Sequence, residues 1–255
     1  MTSPQETHID TGCYVYGVVA ANTQLPKSLR GLDDEPVELV RYGDIAAVVT
    51  PMALNRPPGR RAELVAHSTV VDGLAATCPI VPAQFGSVMA DQESVVHDLL
   101  AAGHRHFRDL LDDLTGRCQL NLRASYVEEQ VLAEVVRDRP DIAELRRRTR
   151  DLPPGVVHPD LVRLGELVAR AMEDKRVLDG QQVLAVVEPH VIDQVRRPDR
   201  GVDQLLDVAL LVANDEVATL EAELEAFAEA VHDRIRLRLA GPTAPYDFVG
   251  DVAWA

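Results

Sequence analysis

The octapeptide Cys13–Ala20, CYVYGVVA, is rich in β-branched and aromatic residues and short enough to be a strand. A polar, proline-containing stretch from Asn22 to Pro36 follows it. Val37–Arg41 and Ile45–Thr50 then flank Tyr42-Gly43-Asp44, which predicts a hairpin with glycine at the tight position and Pro51 closing its second arm. Arg61–Thr77 changes to a helical period, with Leu64, His67, Val71 and Leu74 on one stripe. Pro79–Phe85 is a short extended segment ending at Gly86. Asp91–Leu114 returns to the helical period through Val96, Leu99, Gly103, Phe107, Leu110 and Leu114. Strand, hairpin, helix, strand and helix make an α+β order close to the ferredoxin-like plan, and they predict a first domain over residues 13–115. Residues 1–12, polar at the start, are expected to be disordered.

The remainder predicts a second α+β domain over 116–240. Cys118–Val127 alternates Leu120, Leu122, Ala124 and Tyr126 with polar neighbours, the pattern of a half-buried strand. Glu128–Arg137 and Pro140–Arg150 are expected to be helices, the second with an Asp141…Glu144 capping-box spacing. Leu152-Pro153-Pro154-Gly155 is a break. Leu161–Val187 is a long helical pattern, and Val191–Val195 and Leu205–Ala213 are strand candidates. In Asp215–Leu239, Val217, Leu220, Leu224, Phe227, Val231 and Ile235 step by three and four. Acids crowd its first half, and Arg234, Arg236 and Arg238 end it, which predicts one continuous helix matched to its macrodipole. Residues 241–255 are expected to be a proline-rich tail that folds back onto the body.

The formal charge of −15 repels nucleic acid and anionic membrane surfaces. Three widely spaced cysteines, Cys13, Cys78 and Cys118, form no CxxC pair and point to a reducing compartment without a disulfide framework. With no signal-peptide pattern and no apolar run near the ~18 residues of a membrane span, the expected location is the cytoplasm.

Motifs that carry chemistry are missing. No GxGxxG, GxxxxGK[ST] or GxSxG occurs in the chain. His104 and His106 stand two apart, so on a helix they point in different directions, and their bland reading is a solvated face. The cysteines read as small buried hydrophobes, since none sits at a helix N-terminus where a thiolate would be favoured. Arg146-Arg147-Arg148-Thr149-Arg150 closes a short helix, where positive charge suits the dipole; docking of an acidic partner is the second reading. His67, on an apolar stripe, reads as a hydrogen-bonded core or interface histidine.

Three segments in order resemble the gas vesicle GvpL/GvpF family. Tyr14-Val15-Tyr16-Gly17-Val18-Val19 with the Gly43–Val49 hairpin arm is the first. The helix carrying His67, leading to Pro79-Ile80-Val81-Pro82-Ala83-Gln84-Phe85-Gly86-Ser87-Val88, is the second and is similar to the family's VLPLRFGTV. Gly241-Pro242-Thr243-Ala244-Pro245-Tyr246-Asp247-Phe248-Val249 is the third and is similar to its GPWPPYSFV. Gln84 stands where an arginine is common, which removes a planar multi-donor charge. Thr243-Ala244 replaces a Trp-Pro, which removes a large apolar anchor.

The resemblance implies two α+β domains, an N-terminal ferredoxin-like one and a C-terminal modified ferredoxin-like one, with an extended C-terminal tail packed on them. It implies a minor structural or assembly component of gas vesicles with no catalytic residues, cofactor or metal. Its partners would be the main shell protein and other gas vesicle accessory proteins, not nucleic acid or membrane. The family-motif positions, structural or partner-binding, are Tyr16, Gly17, His67, Pro82, Phe85, Gly86, Gly241, Pro242, Pro245 and Tyr246. Two alternatives remain open: a ligand-binding regulatory module built on paired ferredoxin-like domains, and an enzyme using distributed residues.

Overall fold

The computed structural model describes residues 11–151, 153, 158–198, 201 and 203–250. Most of the expected loose N-terminus, residues 1–10, lies outside these, as do Leu152 and Pro154–Gly155 of the expected break and the last five residues of the tail. The chain divides into two units, one of Met1–Leu120 with Gly241–Ala255 and the other of Asn121–Ala240.

In the first unit β1 (Thr11–Ala20) is the central strand. Buried from Gly12 to Val19, it has the near-continuous apolar run required of a strand covered on both faces. β2 (Glu38–Tyr42) and β3 (Ile45–Ala53) form the hairpin, and β3 pairs antiparallel along the whole of β1, with a register shift between Val15 and Gly17. Pro51 does not end β3. The last β2 pair is Glu38↔Val49, so Pro51 lies beyond the hairpin partner and its missing N–H costs no ladder bond on that side.

α1 (Arg61–Ala75) packs against this sheet through His67, Val70, Val71 and Leu74. Leu64, expected on the buried stripe, is exposed, and Glu63 is buried instead. The Glu63 carboxylate accepts the Gly59 and Arg60 N–H groups at 2.8 Å each and pairs with Arg56, which satisfies it under cover. These bonds, the Arg56 one foremost, hold its pKa down to about 2.

Two short strands, β4 (Val81–Pro82) and β5 (Val88–Met89), both pair with β1 on the side away from β3. The second helical stretch runs without a break through α2 (Gln92–Ser94), a π segment (Val95–Ala101) and α3 (Ala102–Leu114). The π segment holds an extra residue per turn and rephases the stripe, which puts Val95 and Leu100 inside.

The second sheet has the order β7-β8-β6-β9. β6 (Arg117–Tyr126) is followed by α4 (Glu128–Asp138), α5 (Pro140–Thr149) and the long α6 (Pro159–Val187). β7 (Val191–Arg196), β8 (Gln204–Ala213), α7 (Val217–Val231) and β9 (Ile235–Thr243) complete it. The unit is thus β-α-β-β-α-β in element order, with three helices in the first crossover. α5 begins at Pro140 behind Arg139, so Asp141 is inside the first turn and bonds the Arg139 guanidinium instead of capping.

The single helix expected over Asp215–Leu239 is two elements. α7 stops at Val231, and Ile235, Leu237 and Leu239 alternate with exposed Arg236 and Arg238 along β9. Arg236 and Arg238, expected to complement a helix dipole, are the polar face of a strand, because the period changes from 3.6 to 2 after His232.

Candidate functional site

The chain has ten aromatic residues, and four of them, Tyr14, Tyr16, Phe85 and Tyr246, surround one histidine. Tyr14 and Tyr16, two apart on β1, present both rings to α1 and are fully buried. His67 sits between them on the buried face of α1, only 2% exposed. Its ring stacks on Tyr16 at 5.7 Å and meets Tyr14 and Phe85 edge-on at the same separation.

Both imidazole nitrogens are occupied. Nδ1 lies 2.9 Å from the Tyr14 hydroxyl, and Nε2 lies 2.9 Å from the Tyr246 hydroxyl. A neutral imidazole has one donor and one acceptor, so one tyrosine donates to the ring and the other accepts from it. Burial keeps the ring neutral by pulling its pKa down to about 4, with the Ala83 backbone hydrogen bond acting the other way. Burial also pushes Tyr16 up to about 12 and raises Tyr14 and Tyr246 above the ordinary phenol value. At neutral pH every ring is therefore uncharged, and each hydroxyl is spent on holding a neighbour.

The Tyr14 hydroxyl also accepts the Gly86 N–H at 3.1 Å, and the Tyr16 hydroxyl accepts the Leu32 N–H at 2.8 Å. Two loops are thereby tied to β1 through phenols. Gly86 has φ +99°, a conformation that favours glycine, in the loop joining β4 to β5. Gly17 pairs with Pro82 across the β1–β4 ladder, where a Cβ on Gly17 would lie 2.5 Å from the Val81 carbonyl oxygen.

Tyr246 comes from the C-terminal segment, which four further bonds hold in the first unit. Ala244 N–H donates to Asp72 Oδ1 at 3.0 Å. Asp247 N–H donates to Gln119 Oε1 at 3.1 Å, and Gln119 Nε2 donates back to Asp247 Oδ2 at 2.7 Å. Thr243 Oγ1 donates to the Gln119 carbonyl at 3.4 Å. Within the tail, Tyr246–Phe248 form a 3₁₀ turn. Ala244, in the place of the family's proline, is fully buried. Gln84, in the place of the arginine, is exposed.

Of the ten family-motif positions, Tyr16, His67, Phe85 and Tyr246 meet in the cluster, and Gly86 joins it through Tyr14. Gly17 and Pro82 form the strand pair next to it, and Pro245 is buried beside Tyr246. Gly241 and Pro242, joined by a cis peptide bond, lie at the exposed start of the tail, outside the cluster. Tyr14, Asp72 and Gln119 are the contributors that the motif did not single out. Tyr14 carried a signal in its spacing to Tyr16, whereas Asp72 and Gln119 carried none, since each acts on a residue more than 120 positions away.

The other candidates disperse. His104 is bonded to Asp44 at 2.8 Å beside Tyr42, pinning the hairpin turn to α3. The three cysteines are free thiols whose pKa values burial raises. Among the described residues no three His, Cys, Asp or Glu side chains are grouped to hold a metal ion, and no helix is long and apolar enough to cross a membrane.

The family model described as gas vesicle synthesis protein GvpL/GvpF matches residues 12–250, from the first residues of β1 through the tail that carries Tyr246. The chain belongs to the GvpL/GvpF family. It is 29% identical over 239 residues to gas vesicle protein F of a Streptomyces species, covering 92% of this chain and 98% of that one. Gas vesicle protein L of the same Streptomyces is 28% identical over 262 residues, covering 93% and 92%. The crystal structure of GvpF from Anabaena superposes with a TM-score of 0.82 at 19% identity, covering 95% of this chain and 99% of that one. The mixed fold with two sheets is thus the GvpF fold. A GvpL/GvpF protein has a gas vesicle-associated role, and the family is one of vesicle accessory proteins, not of enzymes.

Proposed function

We propose that this chain assists gas vesicle assembly by binding the main shell protein and other accessory proteins, without catalysing a reaction. The observation that carries the reading is the closed bonding of the Tyr14–His67–Tyr246 chain. Its imidazole is neutral at physiological pH, and both imidazole nitrogens are committed to tyrosine hydroxyls. Such a cluster holds the tail in place and fixes a surface; it moves no proton and attacks no bond. A shell protein that is strongly hydrophobic before assembly needs a soluble partner to keep it dispersed. A chain of net charge −15 supplies that solubility while its folded faces bind.

Co-expression of the shell protein with the tagged chain, followed by pull-down at moderate salt, tests the proposal. Stoichiometric recovery of shell protein, lost on Tyr246→Ala in a chain that stays folded, supports both the binding and the role of the clasped tail. Failure to recover any vesicle protein overturns it.

A further inference from the structure

The chain's negative charge is not spread evenly, and β9 carries one of the exceptions. It ends the second sheet beside β6, so among the described residues its outer backbone edge has no strand beside it. Arg236 and Arg238 alternate with Leu237 along it, and both are exposed. Among the described residues neither makes an ion pair. The two arginines border an open cleft of about 490 Å³ that also takes in Arg123, Asp203 and Asp207. Asp207 is only 4% exposed, and its carboxylate is already taken by Arg123 Nε at 2.7 Å and Arg197 Nη1 at 3.1 Å. The buried acid thus cannot serve β9, and exposed Asp203 shares the cleft with Arg236 and Arg238 but, among the described residues, pairs with neither, which leaves arginine in excess there.

We propose that β9 is a docking edge for an extended acidic segment of a partner protein, added as a further strand. Main-chain bonds to the open edge supply affinity, and acidic side chains at alternate positions reach Arg236 and Arg238. Charge decides the occupant. A second copy docking β9 against β9 would set arginine opposite arginine, and like charges directly opposite are destabilising. The same arginines that discourage self-pairing of an exposed edge therefore select an acidic strand. The inference rests on the reading of the chain as a binding protein and adds the place and the chemistry of one partner.

The test uses the full chain and a fluorescein-labelled ten-residue peptide of alternating glutamate and threonine, followed by anisotropy at low salt. Saturable binding is expected, weakened about tenfold or more by R236E/R238E and progressively by added salt. Both substitutions are at exposed positions, and an unchanged circular dichroism spectrum and melting temperature show that the variant is folded. The same peptide N-methylated at alternate residues is expected to bind no better than background, since it cannot complete the ladder. Equal binding of a lysine–threonine peptide, indifference to R236E/R238E, or full displacement by equimolar inorganic phosphate each overturns the proposal, the last in favour of a simple anion site. A failed peptide assay beside a successful shell-protein pull-down removes this edge and leaves the assembly role standing. The reverse result leaves the edge and removes the shell protein as partner.

Discussion

Acidification attacks the clasp through His67. Moving an imidazole from its ordinary 6.5 to about 4 corresponds to about 3 kcal/mol at ~1.4 kcal/mol per pH unit. The folded pKa lies below the unfolded one, so the unfolded chain binds the extra proton first. The contribution of the neutral ring is complete above pH 6.5, falls as the pH drops, and is spent by about pH 4, where the folded ring also protonates. Protonation also makes both nitrogens donors, so whichever tyrosine hydroxyl had donated to the ring must turn away. The comparison variant is His67→Gln, whose amide can still donate at one end and accept at the other but does not titrate. Urea unfolding of both chains at intervals from pH 7.5 to 4 gives two stability curves, in whose difference the carboxylates common to both cancel. The wild type is expected to lose about 2–3 kcal/mol more than the variant across that window, and the His67 ring resonance to titrate below pH 5. Parallel curves, or a ring that titrates near 6.5, would refute the neutral buried clasp.

Tyr246→Phe removes the hydroxyl at Nε2 and leaves a buried polar nitrogen unmatched, at a cost of about 1–3 kcal/mol. Thermal melting measures this loss, and faster exchange of the Asp247 amide shows that the tail has loosened. Gly86→Val is expected to destabilise by about 1–3 kcal/mol through its left-handed backbone alone, because no heavy atom lies within 4 Å of a Cβ placed there. Gly86→Asn is expected to cost less, since asparagine visits that region more readily. His190, whose nitrogens face Glu223 at 3.1 Å and Glu216 at 3.3 Å, has its pKa raised by those hydrogen bonds. That contact is complete below pH 6.5 and weakens as the pH rises through the raised value. Its NMR titration midpoint is expected above 6.5, and Glu223→Gln is expected to lower it.

The elements that local pattern governs were legible in the sequence. Cys13–Ala20 was readable as a strand, and the glycine at Tyr42-Gly43-Asp44 as the turn of the hairpin that follows it; that the first strand is covered on both faces came from the structure. Asp215–Leu239 misled because apolar steps of three and four continue to Ile235 by coincidence, while the Ile-Arg-Leu-Arg-Leu alternation lay at its end. Leu64 and Glu63 exchanged places for a similar reason. Hydrophobicity favours burying the leucine, but a carboxylate given two N–H donors and a guanidinium is satisfied inside. The candidate site was half visible. His67 on an apolar stripe, and tyrosines in the first and last segments, were readable residue by residue, but that they share hydrogen bonds was not.

The sequence by itself determined most of the strands and helices up to α7, the strand at Cys13–Ala20 and the motifs of a family that span the chain, because periodicity and turn chemistry act over neighbouring residues. Only the tertiary structure decided that Tyr14, His67 and Tyr246 form one bonded row, that Gln119 and Asp72 hold the tail, and that Arg236 and Arg238 line an open edge. Hydrogen bonds and ion pairs between distant positions depend on distances of a few tenths of an ångström, and those are set by packing after the elements have formed.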